Sequence, residues 1–400
     1  MTSKRAYMDH NATTPLRPEA HKVVAEALNV LGNPSSVHAE GRAARALIEG
    51  ARRDIASVIG AKPSEVVFTS GGTEAAAMAV HAAKMAPGVK RLLVSAVEHD
   101  AVLSAAEASG LPVSLVPVDS EGRADLAALK AALAADDAPA LVALMLANNE
   151  TGVLQPVAEA AAIVHEAGAF LLCDAVQAAG KIPVDFAALR ADMLILGGHK
   201  LGAPMGVGAL TVREGMAFAA RSVGGGQEMR RRAGSENVIG IAGFGAAARA
   251  AHGGLQDFAR LAALRDRIEA RIADVAPDAV FFGAGAERLP NTSYLSAPGL
   301  DAETLLMALD LDGIAVSAGA ACSSGKIGRS RILDAMGVPE MLSRGAIRVS
   351  LGWTSVAADV DRFVESWSRA RNRARTKADK ANTSIPAGAA SEAPLAAVES

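Results

Sequence analysis

From Val66 to Val212 the chain alternates short apolar runs with alanine-rich stretches of helical period, and few architectures accommodate that alternation. Apolar runs this short, bounded by turn residues, read as strands buried on both faces. Helices between them carry the chain back across the sheet, which makes the strands mostly parallel. Strands are expected at Val66 to Thr69, Arg91 to Ser95, Val113 to Pro117, Leu141 to Ala147, Phe170 to Cys173, Met193 to Leu196 and Ala209 to Val212. Helices are expected at Thr73 to Met85, Ala101 to Ser109, Leu126 to Ala135 and Val157 to Ala167. The fold class is therefore α/β, and ligands of such a sheet bind beyond the carboxyl ends of its strands.

The polar motifs of this region sit at those ends. Gly197-Gly198-His199-Lys200 follows an apolar strand. A lysine there is either a solvated surface charge or an amine whose desolvation suits it to a Schiff base with an aldehyde. Ser70-Gly71-Gly72-Thr73-Glu74 joins a strand to a helix, which suits a phosphate, although a glycine-rich turn with a Thr N-cap reads the same way. Glu98-His99-Asp100 could set an imidazole beside the same crevice. Asn148-Asn149-Glu150-Thr151-Gly152 is a site loop or a simple turn. Asp174 ends a buried run, so its carboxylate either caps the succeeding turn or meets a protonated ring nitrogen.

On either side of this region the pattern changes. Met8 to Pro15 is polar and should be extended; Pro18 to Leu31 and Arg42 to Ile59 are helical in spacing, with Gly32 to Ser36 a turn that could cap the second helix. A Gly/Arg stretch, Gly224 to Ser235, precedes a long helical segment from Val238 past Ile272. The remainder reads as α+β, with strands near Thr292 to Leu295, Ile314 to Ser317 and Ile347 to Leu351. Its helices are expected at Ala302 to Asp310, Arg331 to Met336 and Ala357 to Ala370, and a disordered tail after Arg375. The expected division is a large domain over 15–255, a small one from 1–14 with 256–375, and a tail over 376–400.

A net charge of -3 gives no electrostatic case for nucleic acid or an anionic membrane as partner. No run is long enough to span a membrane, and the first residues lack a signal-peptide core, so a cytoplasmic location is expected. Two cysteines with no metal-ligand spacing read as free thiols. Cys173 belongs in the core, while Cys322, in a Gly/Ser/Ala loop, is either an incidental thiol or a nucleophile.

Taken in order, Asp9 to Pro15, Gly32 to Ser36, Thr69 to Glu74, Glu98-His99, Asn148 to Glu150, Asp174 to Gln177, Gly198 to Lys200, Gly224 to Glu228, Ala320 to Gly325 and Ile347 to Gly352 resemble the cysteine desulfurases. These are pyridoxal-phosphate enzymes of the class V aminotransferase family, and the cysteine loop is similar to that of their group I, NifS/IscS-like members. The resemblance implies the fold type I architecture, with a seven-stranded large-domain sheet and a smaller α+β domain. It implies pyridoxal 5'-phosphate (PLP) on Lys200, with Asp174 at the pyridine nitrogen, Gln177 at the ring hydroxyl and His99 stacked on the ring. Gly72, Thr73 and His199 would hold the phosphate, with Ser235 reaching it from the other subunit of a homodimer. Asn149 would lie beside ring and substrate, and Arg348 would clamp the substrate carboxylate, helped by Ala12 and Thr13.

The same resemblance makes Cys322 the nucleophile that takes sulfur from L-cysteine as a persulfide and delivers it to an acceptor such as an iron-sulfur scaffold. Cys322 could touch a nascent cluster transiently; no resident metal is expected. Three departures stand out. Gly197 replaces a common Ser, Ser235 replaces a Thr, and Ala318 to Ala321 lacks serines common before the cysteine. The alternatives are a selenocysteine lyase or other class V enzyme, and a sulfur carrier or scaffold with a degenerate cofactor site.

Overall fold

The computed structural model describes residues 5–319 and 329–383, with side chains to residue 376. Cys322 and residues 384–400 of the expected tail lie outside the described residues. The strands are β1 (Ala6–Tyr7), β2 (Val66–Thr69), β3 (Arg91–Ser95), β4 (Val113–Val116), β5 (Ala140–Ala143), β6 (Phe170–Asp174), β7 (Met193–Gly197), β8 (Gly208–Val212), β9 (Val280–Phe281), β10 (Thr292–Ser296), β11 (Ile314–Ala315), β12 (Ser317–Ala318) and β13 (Ile347–Ser350).

Seven of them form one sheet in the order β2-β8-β7-β6-β5-β3-β4, in which only β8 runs against its neighbours. Alternate residues feed two cores: Phe68, Leu93, Val142, Leu171 and Leu194 face one way, Val67, Leu92, Leu141, Leu172 and Ile195 the other. Burial on both faces is why these strands read as unbroken apolar runs. Cys173 is fully buried among the first set, as a small hydrophobe would be. A third core joins Ala6 and Met8 to Phe258, Leu261, Leu295, Ile347, Phe363 and Trp367. It underlies an antiparallel sheet, β12-β13-β10-β9, and the parallel pair β1-β11.

The chain departs from the sequence-based expectation at several places. β5 stops at Ala143 rather than Ala147 because the Met145 N–H turns away to the Glu98 carboxylate, although Leu144 and Leu146 still donate to Leu172 and Asp174 carbonyls. The long helix after Val238 is three helices, Val238–Gly253, Leu255–Ala259 and Leu261–Val275, broken at the Gly253-Gly254 pair and again at Arg260. Ile314 to Ser317 divides into β11 and β12, which serve different sheets. His38, not the Gly32 to Ser36 turn, caps the helix Ala39–Val58 by accepting from the Gly41 N–H. The last helix runs Ala357–Thr383, past the expected end at Ala370 and into the stretch expected to be disordered. Arg371 anchors it by donating to the Val275 carbonyl and pairing with Asp278, and its Ala/Lys/Arg composition favours continuation. Among the described residues, no helix is long and apolar enough to cross a membrane.

Two threads bring the polar ends of the large sheet under the N-terminal strip. β1 pairs with β11, and Asp9 bridges Ser350 at the end of β13. Residues 9–14 are thereby laid across the carboxyl ends of β6 and β7.

Candidate active site

Beyond the carboxyl ends of β2, β3, β6 and β7 lies a cavity of about 330 Å³, lined by Asn11, Ala12, Gly72, Thr73, His99, Ala101, Met145, Asn149, Asp174, Val176, Gln177, Gly197, His199, Lys200 and Arg348. The sheet topology dictates this place. Of the described residues singled out from sequence, Thr13 and Ser235 are the ones outside that lining, and Cys322 lies outside the described residues. Thr13 reaches it indirectly, with its Oγ1 3.2 Å from His199 Nδ1. Ser235 lines a separate cavity of about 70 Å³ with Arg232, Glu236 and Asn237.

The helix Gly72–Met85 opens into the cavity. Its N-cap is Gly71, and no side chain caps its first turn. The first amides of that helix are therefore open to an anion, with the positive end of the helix dipole behind them. Thr73 is thus a first-turn residue facing the cavity and not the cap. Gly198 has no room for a side chain, since a Cβ would come within 2.8 Å of Val207 Cγ1 and 2.9 Å of its carbonyl. At Gly197 a Cβ would sit 3.1 Å from Val176 Cγ1. The Val176 methyl group thus crowds the place a serine Cβ would take at this position.

Lys200 Nζ donates to the Asn11 and Ala12 carbonyls at 2.5 and 2.6 Å. Beside it, burial and the Lys200 charge lower the His199 pKa to about 4, so that imidazole is neutral at neutral pH. Asp174 Oδ1 accepts from the Val176 N–H at 2.8 Å. One oxygen thus caps a turn, as the first reading of Asp174 expects, and the residue also lines the cavity. Burial raises its pKa, opposed by that hydrogen bond and by His99 and Lys200. His99 caps the helix Asp100–Ala108 through Nδ1, which accepts from the Ala101 N–H at 3.1 Å. In the neutral ring the proton then sits on Nε2.

Arg348 is 2% exposed. Nη1 donates to the Asn149 carbonyl at 3.0 Å and Nη2 to Asp9 Oδ1 at 2.9 Å, while Nε is buried with no partner among the described residues. A guanidinium so fixed keeps N–H groups in reserve for a carboxylate.

Several supporting residues were not distinguished by sequence reasoning. Asn11 is the hub: its carbonyl accepts from Lys200 and Gln177, its Oδ1 from Lys181 and Asn291, and its Nδ2 donates to the Asn149 carbonyl and Thr292. Glu98 is wholly buried, with Oε2 unpartnered among the described residues. Burial and then the Asp174 charge push its pKa well up. Glu150 accepts from the Ser330 hydroxyl at 2.6 Å. The signal for these residues was position within a polar motif; Lys181, next to Gly180, had none.

The family described as aminotransferase class-V matches residues 6–363. The chain belongs to the class V aminotransferase family. Among curated relatives, a cysteine desulfurase of Cereibacter sphaeroides is 45% identical over 90% of this chain and 94% of its own length. An IscS-like cysteine desulfurase of Mycobacterium tuberculosis is 41% identical over 93% of this chain and 98% of its own. The crystal structure of a NifS-like protein from Rickettsia africae superposes with a TM-score of 0.85 at 32% identity, covering 92% of this chain and 99% of that one. That likeness fits the class V aminotransferase architecture of the seven-stranded sheet.

Proposed function

We infer that this cavity holds PLP and that the protein is a cysteine desulfurase, converting L-cysteine to L-alanine with the sulfur retained on Cys322. One observation carries the reading: a single cavity joins an uncapped helix N-terminus, a half-buried amine and a buried carboxylate. Phosphate, aldehyde and pyridine nitrogen call for those three groups. When bound, PLP supplies an electron sink for the carbon next to the substrate carboxylate.

The chain's own residues do the rest. Gly72 and Thr73 offer first-turn amides and a hydroxyl to the phosphate, beside neutral His199. Asp174 would place its carboxylate at the ring nitrogen, with the buried Glu98 carboxyl behind it. Gln177 would face the ring hydroxyl, His99 would cover the ring and offer Nε2–H, and Asn149 would lie at its side. Arg348, steadied by Asp9 and the Asn149 carbonyl, takes the substrate carboxylate, with Ala12 and Thr13 lining the approach. Lys200 Nζ, the amine that would carry the cofactor, would take up the substrate α-proton. The Cys322 thiolate then attacks the substrate sulfur: an S–S bond forms, the C–S bond breaks, and its electron pair stays with the carbon that becomes the alanine methyl group.

We extend the reading to a homodimer, in which Ser235 reaches the partner's phosphate; its absence from its own chain's cavity supports this. The separate core of residues 6–8 and 258–374 supports the proposed division into 15–255 and 1–14 with 256–375. Sulfur delivery to an iron-sulfur scaffold and a cytoplasmic location complete the proposal.

Sulfide and alanine release from L-cysteine tests it. Lys200→Ala is expected to lose covalent cofactor and all turnover, and Cys322→Ala to keep the cofactor but form no persulfide. Full sulfide production by Cys322→Ala would remove that residue from the mechanism.

A further inference from the structure

Lys181 is a buried amine that this chemistry does not use. Its Nζ donates to Asn11 Oδ1 and to Gln177 Oε1, each at 2.6 Å. Gln177 in turn donates from Nε2 to the Asn11 carbonyl at 3.0 Å. Both of those partners line the cavity, whereas Lys181 stands behind them, beside a small void shared with His10, Arg17 and Lys200.

This arrangement fixes which way the Gln177 carboxamide points. A peptide carbonyl only accepts, so the group facing the Asn11 carbonyl must be the NH₂. An amine donates, so the group facing Lys181 must be the oxygen. That oxygen is thereby withdrawn from the cavity, and what Gln177 has left to offer is its second N–H. Lys181 can hold it in either protonation state. Burial, then the charges of Lys200 and Arg348, push its pKa well down, but a neutral amine still keeps two N–H donors.

We propose that Lys181 is a positioning residue, which orients the Gln177 carboxamide so that the cofactor's ring oxygen meets an N–H donor and not a carbonyl oxygen. The proposal rests on the reading that PLP occupies this cavity. An N–H donor stabilises the ring oxygen most when no proton lies between it and the Lys200 nitrogen. Without the donor, the pH at which bound cofactor changes its absorption therefore rises.

The test is the absorption titration of the PLP-loaded protein against pH, for wild type, Lys181→Met, Gln177→Met and the double variant. Each single variant is expected to raise the midpoint by about one pH unit, the worth of a hydrogen bond to a charged group. The double variant is expected to match the singles, because both remove the same donor. Lys181→Gln, which keeps an N–H donor without a charge, is expected to titrate close to wild type and covers the case in which Lys181→Met fails to fold. An unchanged midpoint in Lys181→Met, additive shifts in the double variant, or a Lys181→Gln midpoint as high as that of Gln177→Met overturns the proposal. A wild-type protein that takes up no PLP overturns the cofactor reading and this proposal with it.

Discussion

His10 makes the protein sensitive to mild acid, by an amount the structure fixes. It is 1% exposed, its Nδ1 lies 2.6 Å from Thr14 Oγ1, and its ring meets Tyr7 edge-on at 5.1 Å. Burial first, then the Lys181 charge, lower its pKa from 6.5 to about 3, with Arg17 adding to the effect and a backbone hydrogen bond opposing it. The folded state thus keeps this imidazole neutral, whereas the unfolded chain protonates it below its ordinary pKa. Stability is therefore complete above the unfolded pKa and falls as pH drops through it, by about 1.4 kcal/mol per pH unit. Between about pH 8 and about pH 5 His10 alone removes about 2 kcal/mol. His10→Asn, which places an amide oxygen or nitrogen where Nδ1 stands, removes the titration. Urea unfolding of both proteins at the two pH values measures the difference, and His199, common to both, cancels. If wild type and variant lose the same stability on acidification, the burial argument for His10 fails.

Two further perturbations arise from buried charge. Glu228 accepts from Arg52 Nη1 and Nη2 at 2.8 and 2.9 Å and from the Phe68 N–H, and it begins three successive residues with positive φ, Glu228, Met229 and Arg230. Glu228→Ala is expected to cost about 3–5 kcal/mol in urea unfolding by stranding the Arg52 guanidinium, and Arg52→Met with Glu228→Leu should recover much of it. Asp174→Asn should lower kcat roughly a hundredfold or more, as loss of one preorganised charge does, while absorption still reports cofactor on Lys200.

Six of the seven large-sheet strands were legible because burial on both faces leaves an unbroken apolar signature, whereas the edge strand β4 exposes Ser114 and Leu115. What the sequence could not reveal was wherever a distant side chain took over a backbone group. The end of β5 is set by Glu98, forty-seven positions away in the chain, through its bond to the Met145 N–H. The last helix outran its apolar period because Arg371 found Asp278 and the Val275 carbonyl. At the site, residues that face the cavity belonged to recognisable polar motifs. Those that stand behind it did not: Lys181 owes its importance to Asn11, and nothing in the local sequence announces that contact.

The course of the N-terminal strip also orders events in time. Ala6 and Tyr7 find their strand partners at Ile314 and Ala315, and Asp9 finds Ser350, so this strip is seated only once the chain through β13 has been made. Until then Lys200 lacks the Asn11 and Ala12 carbonyls that hold its amine, and Arg348 lacks Asp9. Contacts of such sequence separation form slowly. A nascent chain can therefore complete its seven-stranded sheet while its pocket stays open on one side. Maturation of the holoenzyme becomes the closing act of synthesis, and a chain cut short before β13 would retain the anion-binding helix end without the roof that makes it an enzyme.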